Sequence, residues 1–414
     1  MLKQLFPKLY QRYLSSPLLG PILDGYEDWL SDRKYTRKTR RLYMRMALLV
    51  GQYLQDLGLE NLADISADNM QDLWVRYHID GPNARSLGGA IQTISACLDE
   101  KGLLRPASPR PSTPFDLYLD GYAAHLRDIR GFAPSTVHYH LTTTAKLLTH
   151  LLGEGDAPKF AELDINVIED FLTPLASGLA RGTMQHEVAH IRSFLRYLAM
   201  MGVMPSGLDA QIDTPRAYRP RPPIRALPWE TVEAFLRSID RKTPMGLRDY
   251  TMFLLMTHYG LRPSEIVDLT LDDIAWRKGE IRVVQRKTGQ PLYLPLMDQV
   301  TTALVEYLHS RPLDLPYRQL FLRVRAPAGL LKPTAVTEAF QHWARLSGLA
   351  IPFQGSYCLR HSYAVHLLHL GISVKTIGDL LGHRVTESTE AYLRLSLEDL
   401  RGVALPLPKE LSDE

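Results

Sequence analysis

Arg262, Lys287, Arg360, His383 and Tyr392 are the residue types that a metal-free phosphoryl transfer needs. Negative charge builds on the nonbridging oxygens of a phosphate under attack. Paired guanidiniums can hold that charge with planar, bidentate geometry at any physiological pH. A tyrosine hydroxyl can attack phosphorus and keep the phosphate as an ester. A lysine beside the leaving 5′-oxygen can supply its proton. No compact Asp/Glu cluster of the kind a two-metal nuclease uses stands in the sequence, which argues against magnesium-dependent cleavage. Taken singly, each residue has a bland reading as a surface arginine, a solvated hairpin lysine or a tyrosine after a helix. The chain holds 48 Lys+Arg and 20 Tyr, so five residues picked from it do not by themselves establish a reaction.

Local patterns state how these side chains would be held. An apolar helix from Tyr250 to Tyr259 should end at Gly260, and a new one should start at Pro263, a residue suited to a first helical turn. Arg262 then falls at a tight corner between helices. Gly279 to Val284 and Leu292 to Pro295, on either side of a turn at Arg286-Lys287-Thr288-Gly289, predict a hairpin with Lys287 at its tip. Arg360 should start, or immediately precede, the apolar helix carrying Val365-His366-Leu367-Leu368. Ser373 should open a short helix that Gly382 closes, leaving His383 just past its end. His366 and His369 share a helix with Arg360. With no cysteine or second ligand pair near them, they read as helix-face residues and not as metal ligands.

Gly260-Leu261-Arg262-Pro263-Ser264-Glu265, Leu359-Arg360-His361-Ser362-Tyr363-Ala364 and Leu380-Leu381-Gly382-His383, with Tyr392 nine residues on, resemble the tyrosine recombinase (phage integrase) family. Order, chemistry and His-to-Tyr spacing all match. The resemblance covers residues 226–405 strongly and extends more weakly to 113–205, which looks like the family's helical core-binding domain. It implies that Arg262 and Arg360 clamp the phosphate, Lys287 is the general acid, His383 hydrogen-bonds the scissile phosphate and Tyr392 is the nucleophile. One position departs: Tyr357 stands where the family usually has histidine, three residues before Arg360. Tyrosine can hydrogen-bond a phosphate oxygen but cannot act as an imidazole base near neutral pH. Glu265 and Asp273 match commonly acidic positions and would be structural, buttressing Arg262.

The activity so implied is site-specific DNA recombination, by integration, excision or transposition, through a 3′-phosphotyrosine intermediate. No metal or nucleotide cofactor is implied. The partners implied are duplex DNA at specific sites, a homo- or hetero-tetramer of recombinase subunits, and accessory recombinases; no membrane is involved. Two rival readings stay open. A type IB topoisomerase shares the chemistry without partner exchange, and a DNA-binding accessory recombinase would keep the fold with impaired catalysis. Tyr357 is the one feature that points to the last.

Composition sets the frame. A chain of 414 residues is long enough for two or three domains, and 45% hydrophobic with 22% charged residues is ordinary for a soluble globular protein. No apolar run approaches the roughly 20 residues that span a bilayer. The basic start Met1 to Lys8 lacks a long apolar core and is not read as a signal peptide. Cys97 and Cys358 form neither a disulfide framework nor a metal pair, so a reduced, cytoplasmic setting is expected. A net charge of +3 does not announce a nucleic-acid binder; the clustering of basic residues matters more.

The clearest such cluster lies between Ile212 and Pro228, with five prolines and Arg216, Arg219, Arg221 and Arg225, and no acid after Asp213. Proline cannot donate to a helix or sheet ladder, so this stretch should be extended and exposed. It is either a solvated linker or one that runs along a phosphate backbone. Upstream of it the chain looks duplicated. Tyr35-Thr36-Arg37 leads through Leu54 to Gly58, then Asp64-Ile65, then a helix closed at Gly102. Phe132-Ala133-Pro134 leads to Gly153, then Asp164-Ile165, then a helix closed at Gly202. The separator Arg105 to Pro114, rich in Pro and Ser, supports that division.

The expected fold is therefore mainly α with a small β-hairpin or sheet. A helical N-terminal domain over 1–107 resembles the core-binding type, and a core-binding domain follows over 113–205. A Pro/Arg-rich linker over 206–225 leads to an α+β catalytic domain over 226–405 and a tail over 406–414. Leu397, Leu400, Val403 and Leu405 make the segment after Tyr392 a candidate for docking on a neighbouring subunit. The extra N-terminal helices fit a mobile-element enzyme better than a chromosome-dimer resolvase.

Overall fold

A computed structural model describes residues 2–77, 84–108, 115–152, 160, 163–214, 224–285, 289–312 and 315–382. The chain divides into two compact units, Ala107–Arg221 and the pair of segments Met1–Pro106 with Pro222–Glu414.

Residues 2–104 enclose an apolar core of their own, with Tyr26, Leu30, Val50, Leu54, Ile94 and Leu98 buried. The long Arg37–Asp56 helix packs against the Ala84–Glu100 helix. Thr36 starts the former: its side-chain oxygen accepts from the Thr39 amide at 3.2 Å, satisfying one of the donors a helix start leaves unpaired. Inside the core the Tyr26 hydroxyl meets Thr93 at 2.7 Å, so a buried polar group keeps a partner.

In Ala107–Arg221, helices Pro134–Leu152, Ile165–Gly178 and Arg181–Met200 surround Ile168, Phe171, Phe194, Leu195 and Leu198. Asp164 caps its helix by accepting from the Val167 amide at 3.1 Å. These three helices follow one another as Arg37–Asp56, Ala67–Tyr77 and Ala84–Glu100 do, and in both segments the last long helix is followed by a left-handed glycine, Gly102 at φ 65° and Gly202 at φ 72°. The core also holds two histidines. The Tyr122 hydroxyl pairs with Nδ1 of His140 at 2.9 Å, Thr143 pairs with Nδ1 of His190 at 2.9 Å, and the two imidazoles lie 4.2 Å apart. Burial, with the neighbouring His190 and Arg130, pushes His140 down to about 4; burial also lowers His190.

The segment from residue 224 onward is organised by the Pro244–Tyr259 helix, whose Met252 to Met256 are buried together. A helix apolar on all sides belongs inside a core. It packs against the Asp298–Ser310 and Tyr357–His369 helices. Strands β1 (Ile274–Ala275), β2 (Glu280–Val284) and β3 (Pro291–Pro295) form one antiparallel sheet in that order, with Ile281 opposite Leu294 and Arg282 opposite Tyr293. Ile281, Val283 and Leu294 face the core, while Arg282 and Val284 are exposed, the alternation a half-buried strand requires. The fold is mainly α with a small sheet, as the periodicity leads one to expect. β1 is not anticipated by the sequence pattern, because two residues are too short to carry an alternation.

Candidate active site

The site grows from two helix ends that meet. The Pro244–Tyr259 helix stops at Gly260, which adopts φ 64° and ψ 26°. A side chain at that position would be strained by the left-handed backbone. Its Cβ would also fall 2.5 Å from Cδ2 of Leu381 and 2.8 Å from Cδ1 of Tyr363. Glycine thus allows three elements to close on one point: this helix end, the Tyr357–His369 helix and the Val374–Leu381 helix. The last is capped by Ser373, whose hydroxyl accepts from the Thr376 amide at 3.2 Å, and ends at Gly382 with φ 62°.

Two residues beyond Gly260, Arg262 stands at the start of the Pro263–Asp268 helix. Glu265 holds it twice. One carboxylate oxygen accepts from the Arg262 amide at 2.8 Å and the other from its Nη1 at 2.6 Å. Burial works against the Arg262 charge, but Glu265 and a hydrogen bond with the Tyr357 side chain more than offset it, so its pKa is raised. The same Glu265 carboxylate lies 4.0 Å from Nη1 of Arg360. One buried anion is therefore shared by two guanidiniums, and the group retains net positive charge.

Arg360 is only 1% exposed. Its Nη1 donates to the Gly260 carbonyl at 2.5 Å and its Nη2 to the Leu381 carbonyl at 2.5 Å. Both carbonyls belong to helix C-termini, where unpaired acceptors carry partial negative charge, so a cation is well placed there. The sequence places Arg360 at or just before the start of its helix. The helix in fact begins at Tyr357, which makes Arg360 its fourth residue and turns the side chain toward the two helix ends.

Tyr357 is 40% exposed, its ring 5.2 Å from that of His361 and 5.9 Å from the Arg360 guanidinium. Burial, together with the charges of Arg360 and Arg225, pushes His361 down to about 4, so its imidazole is neutral near pH 7. Neighbouring Ser362 accepts from the Leu227 amide at 2.8 Å and donates to the Cys358 carbonyl at 2.9 Å, fastening residue 227 to the helix.

Asp273 serves a different arginine from the one expected. Its carboxylate accepts from the Thr270 amide and hydroxyl at 2.8 and 2.6 Å, and from Arg282 Nε at 2.8 Å. It braces the sheet, while Glu265 is the carboxylate that buttresses Arg262. His366 stacks on Trp229 at 3.9 Å and 8°, in keeping with a helix-face role, and no group of three metal-ligating residues occurs among the described residues. Lys287, His383 and Tyr392 lie outside the described residues, as do Arg216, Arg219 and Arg221; Arg225 is described and exposed.

Sequence reasoning missed Gln285. A Cβ on Gly382 would fall 2.2 Å from that side chain, so the end of β2 lies against the end of the Val374–Leu381 helix. In sequence, Gln285 is two residues before Lys287 and Gly382 is one before His383. No local pattern signals a contact between residues so far apart.

Known proteins share both the sequence and the architecture. The phage integrase family matches residues 225–398. The "Putative integrase/recombinase y4rA" of Sinorhizobium fredii is 32% identical over 406 residues, covering 96% of this chain and 97% of its own. The "Tyrosine recombinase XerC" of Myxococcus xanthus is 30% identical over 292 residues, or 69% of this chain and 95% of that one. In fold, the chain is similar to the XerH site-specific recombinase in a post-cleavage complex with difH, at TM-score 0.56 and 16% identity over 82% of this chain and 96% of that one. It is also similar to the Tn1549 transposon integrase with a circular intermediate DNA, at TM-score 0.52 and 14% identity over 69% and 99%. With the paired arginines around Glu265 and a relative matched almost end to end, this chain belongs to the phage integrase family of tyrosine recombinases.

Proposed function

We propose that this recombinase cuts and rejoins duplex DNA at specific sites through a covalent 3′-phosphotyrosine on Tyr392. The observation that carries the reading is the pair of guanidiniums, Arg262 and Arg360, gathered about one buried carboxylate at two converging helix ends. Two cations against one anion leave positive charge for a phosphate whose nonbridging oxygens are gaining negative charge.

Tyr392 Oη attacks phosphorus and forms the phosphotyrosyl ester as the bond to the 5′-oxygen breaks. Lys287 gives that oxygen its proton, and His383 hydrogen-bonds the phosphate. A 5′-hydroxyl from a second duplex then attacks the ester, releases Tyr392 and completes the exchange through a four-way junction. The Tyr357 oxygen accepts from Arg262 and holds it in place, while its hydroxyl proton can be donated to a phosphate oxygen; it does not act as a base. The arginines supply the charge that a metal would otherwise bring, so the scheme needs no metal or nucleotide cofactor.

The recombinase works as a tetramer of like or related subunits on two DNA sites, with accessory recombinases as further partners. Arg216, Arg219, Arg221 and Arg225 follow the DNA backbone. The relatives described as integrases, one of them from a transposon, support a mobile-element setting. A duplex nicked beside the scissile phosphate tests the reading, because loss of the short 5′-product traps the ester. A denaturation-resistant protein–DNA band is expected from the parent and none from Tyr392→Phe. No band from the parent would end the catalytic reading, and an equal band from the variant would move the nucleophile elsewhere.

A further inference from the structure

The hairpin of β2 and β3 is fastened at both ends. At one end the Tyr259 hydroxyl donates to the Pro295 carbonyl at 2.6 Å and accepts from the Met297 amide at 3.3 Å, which ties β3 to the last residue of the Pro244–Tyr259 helix. At the other end the strands run out at Val284 and Pro291, and one more pair closes them. The Gln285 amide donates to the Gln290 carbonyl at 3.0 Å, and the Gly289 amide donates to the Gln285 carbonyl at 2.7 Å. Half-buried Gln285 then lays its side-chain amide on Gly382. The Cδ, Oε1 and Nε2 atoms of that amide occupy the space that a Cβ on Gly382 would take. Gly382 ends the Val374–Leu381 helix at φ 62°, so the position requires glycine twice, for its left-handed backbone and for the room it leaves. The preceding residue, Leu381, is the one whose carbonyl accepts from Arg360 at 2.5 Å.

Gln285 stands two residues before Lys287, and Gly382 one before His383. A chain advances at most about 3.6 Å per residue, so a joint at this place leaves either residue little slack. We propose that Gln285 is a positioning residue for the leaving-group step: seated on Gly382, it locks the base of the hairpin to the helix end, and delivery of the lysine proton depends on that lock. In this step the bond between phosphorus and the 5′-oxygen breaks as the Tyr392 ester forms. The 5′-oxygen takes the proton, and the Lys287 ammonium becomes a neutral amine. An alkoxide is a poor leaving group without that proton, and a donor misplaced by about 1 Å costs rate steeply. Gln285 acts through Lys287 and takes no part in the proton transfer itself. The inference rests on the reading of Lys287 as the general acid.

The test replaces the bridging 5′-oxygen of the nicked duplex by sulfur. A thiol, with an ordinary pKa of about 8.5, leaves as its anion and needs no donated proton. Single-turnover cleavage by the full chain carrying Gln285→Ala should be slower than the parent's by about 10- to 100-fold on the oxygen duplex, and within about threefold of it on the sulfur duplex. Lys287→Ala should show the same pattern with a larger loss. Glu265→Gln should be slow on both duplexes, because it disturbs the arginines that hold the phosphate. Should Gln285→Ala melt early, Gln285→Asn, one methylene too short for the seat, should show a smaller loss that sulfur again restores.

Folded Gln285 variants as fast as the parent on the oxygen duplex would overturn the proposal. Equal slowing on both duplexes would also overturn it, since that marks a residue that only supports the fold. If sulfur fails to restore Lys287→Ala, the general-acid reading of Lys287 falls and this inference falls with it. Restoration of Lys287→Ala but not of the Gln285 variants removes this inference alone.

Discussion

The Glu265 carboxylate holds Arg262 by its own backbone amide and by its guanidinium at once, at 2.8 and 2.6 Å, while lying 4.0 Å from Arg360. Removing a buried partner of this kind leaves charge uncompensated and costs about 3–5 kcal/mol. Glu265→Ala should therefore lower stability by that order. Glu265→Gln keeps one acceptor for the amide but brings two guanidiniums together with no anion between them. Covalent trapping by Glu265→Gln should fall about 10- to 100-fold, read with the nicked duplex, while thermal melting changes less than in the alanine variant. Equal trapping in Glu265→Gln and the parent would show that the carboxylate only supports the helix start.

Gly260 tests whether the convergence of helices matters in its own right. Gly260→Ala meets Leu381 at 2.5 Å on a left-handed backbone, and should destabilise by about 1–3 kcal/mol. Adding Leu381→Ala relieves the clash but not the backbone strain, so partial recovery of the melting temperature is expected. A fully tolerated Gly260→Ala would mean that the three helices can part without consequence.

Tyr357 should act through its hydroxyl, whose oxygen accepts from Arg262. Tyr357→Phe removes the hydroxyl next to Arg262, and a cleavage rate lower by about tenfold is expected, the order of one charge-assisted hydrogen bond. Tyr357→His brings in a group with an ordinary pKa of about 6.5, so its cleavage rate should fall as pH drops through that value. The parent should lack that limb between about pH 6 and 8. A matching limb in the parent would place the titrating group elsewhere.

Buried His140 and half-buried His190 and His361 predict acid sensitivity of the fold, separate from that of the reaction. His140 and His361 are pushed down to about 4, and His190 is also lowered, so the folded chain binds fewer protons than the unfolded one below about pH 6.5. Stability is fully present above that pH and is lost as pH falls toward 4. For one such group the loss at pH 5 is about 2 kcal/mol. Melting at pH 7.5 and 5.0 should show a drop that His140→Gln reduces. An equal drop in parent and variant would assign the sensitivity to other groups.

Much of the catalytic segment was legible because its signals are local. Gly260 before Arg262-Pro263, Ser373 ahead of an eight-residue helix and alternating Ile281, Val283 and Leu294 each act within a few residues of themselves, and the chain takes the elements they predict. What sequence could not supply is partnership at a distance. Asp273 looked as apt to buttress Arg262 as Glu265 did, since nothing in sequence says that β2 carries Arg282 past it. Gln285 against Gly382, and Arg360 reaching the carbonyls of Gly260 and Leu381, depend on where separate helices end in space. The start of the Arg360 helix at Tyr357 was hidden for a similar reason. Tyrosine and cysteine are weak helix starters, and Ser356 offers no side-chain cap to mark the boundary.

Arg360 is a rivet between the polypeptide that leaves Gly260 and the polypeptide that leaves Leu381. The stretch of chain that carries His383 and Tyr392 starts immediately beyond the second of these attachment points. Any substitution that frees the Leu381 carbonyl would therefore disturb two things together, the seat of the Arg360 charge and the helix end from which that stretch departs.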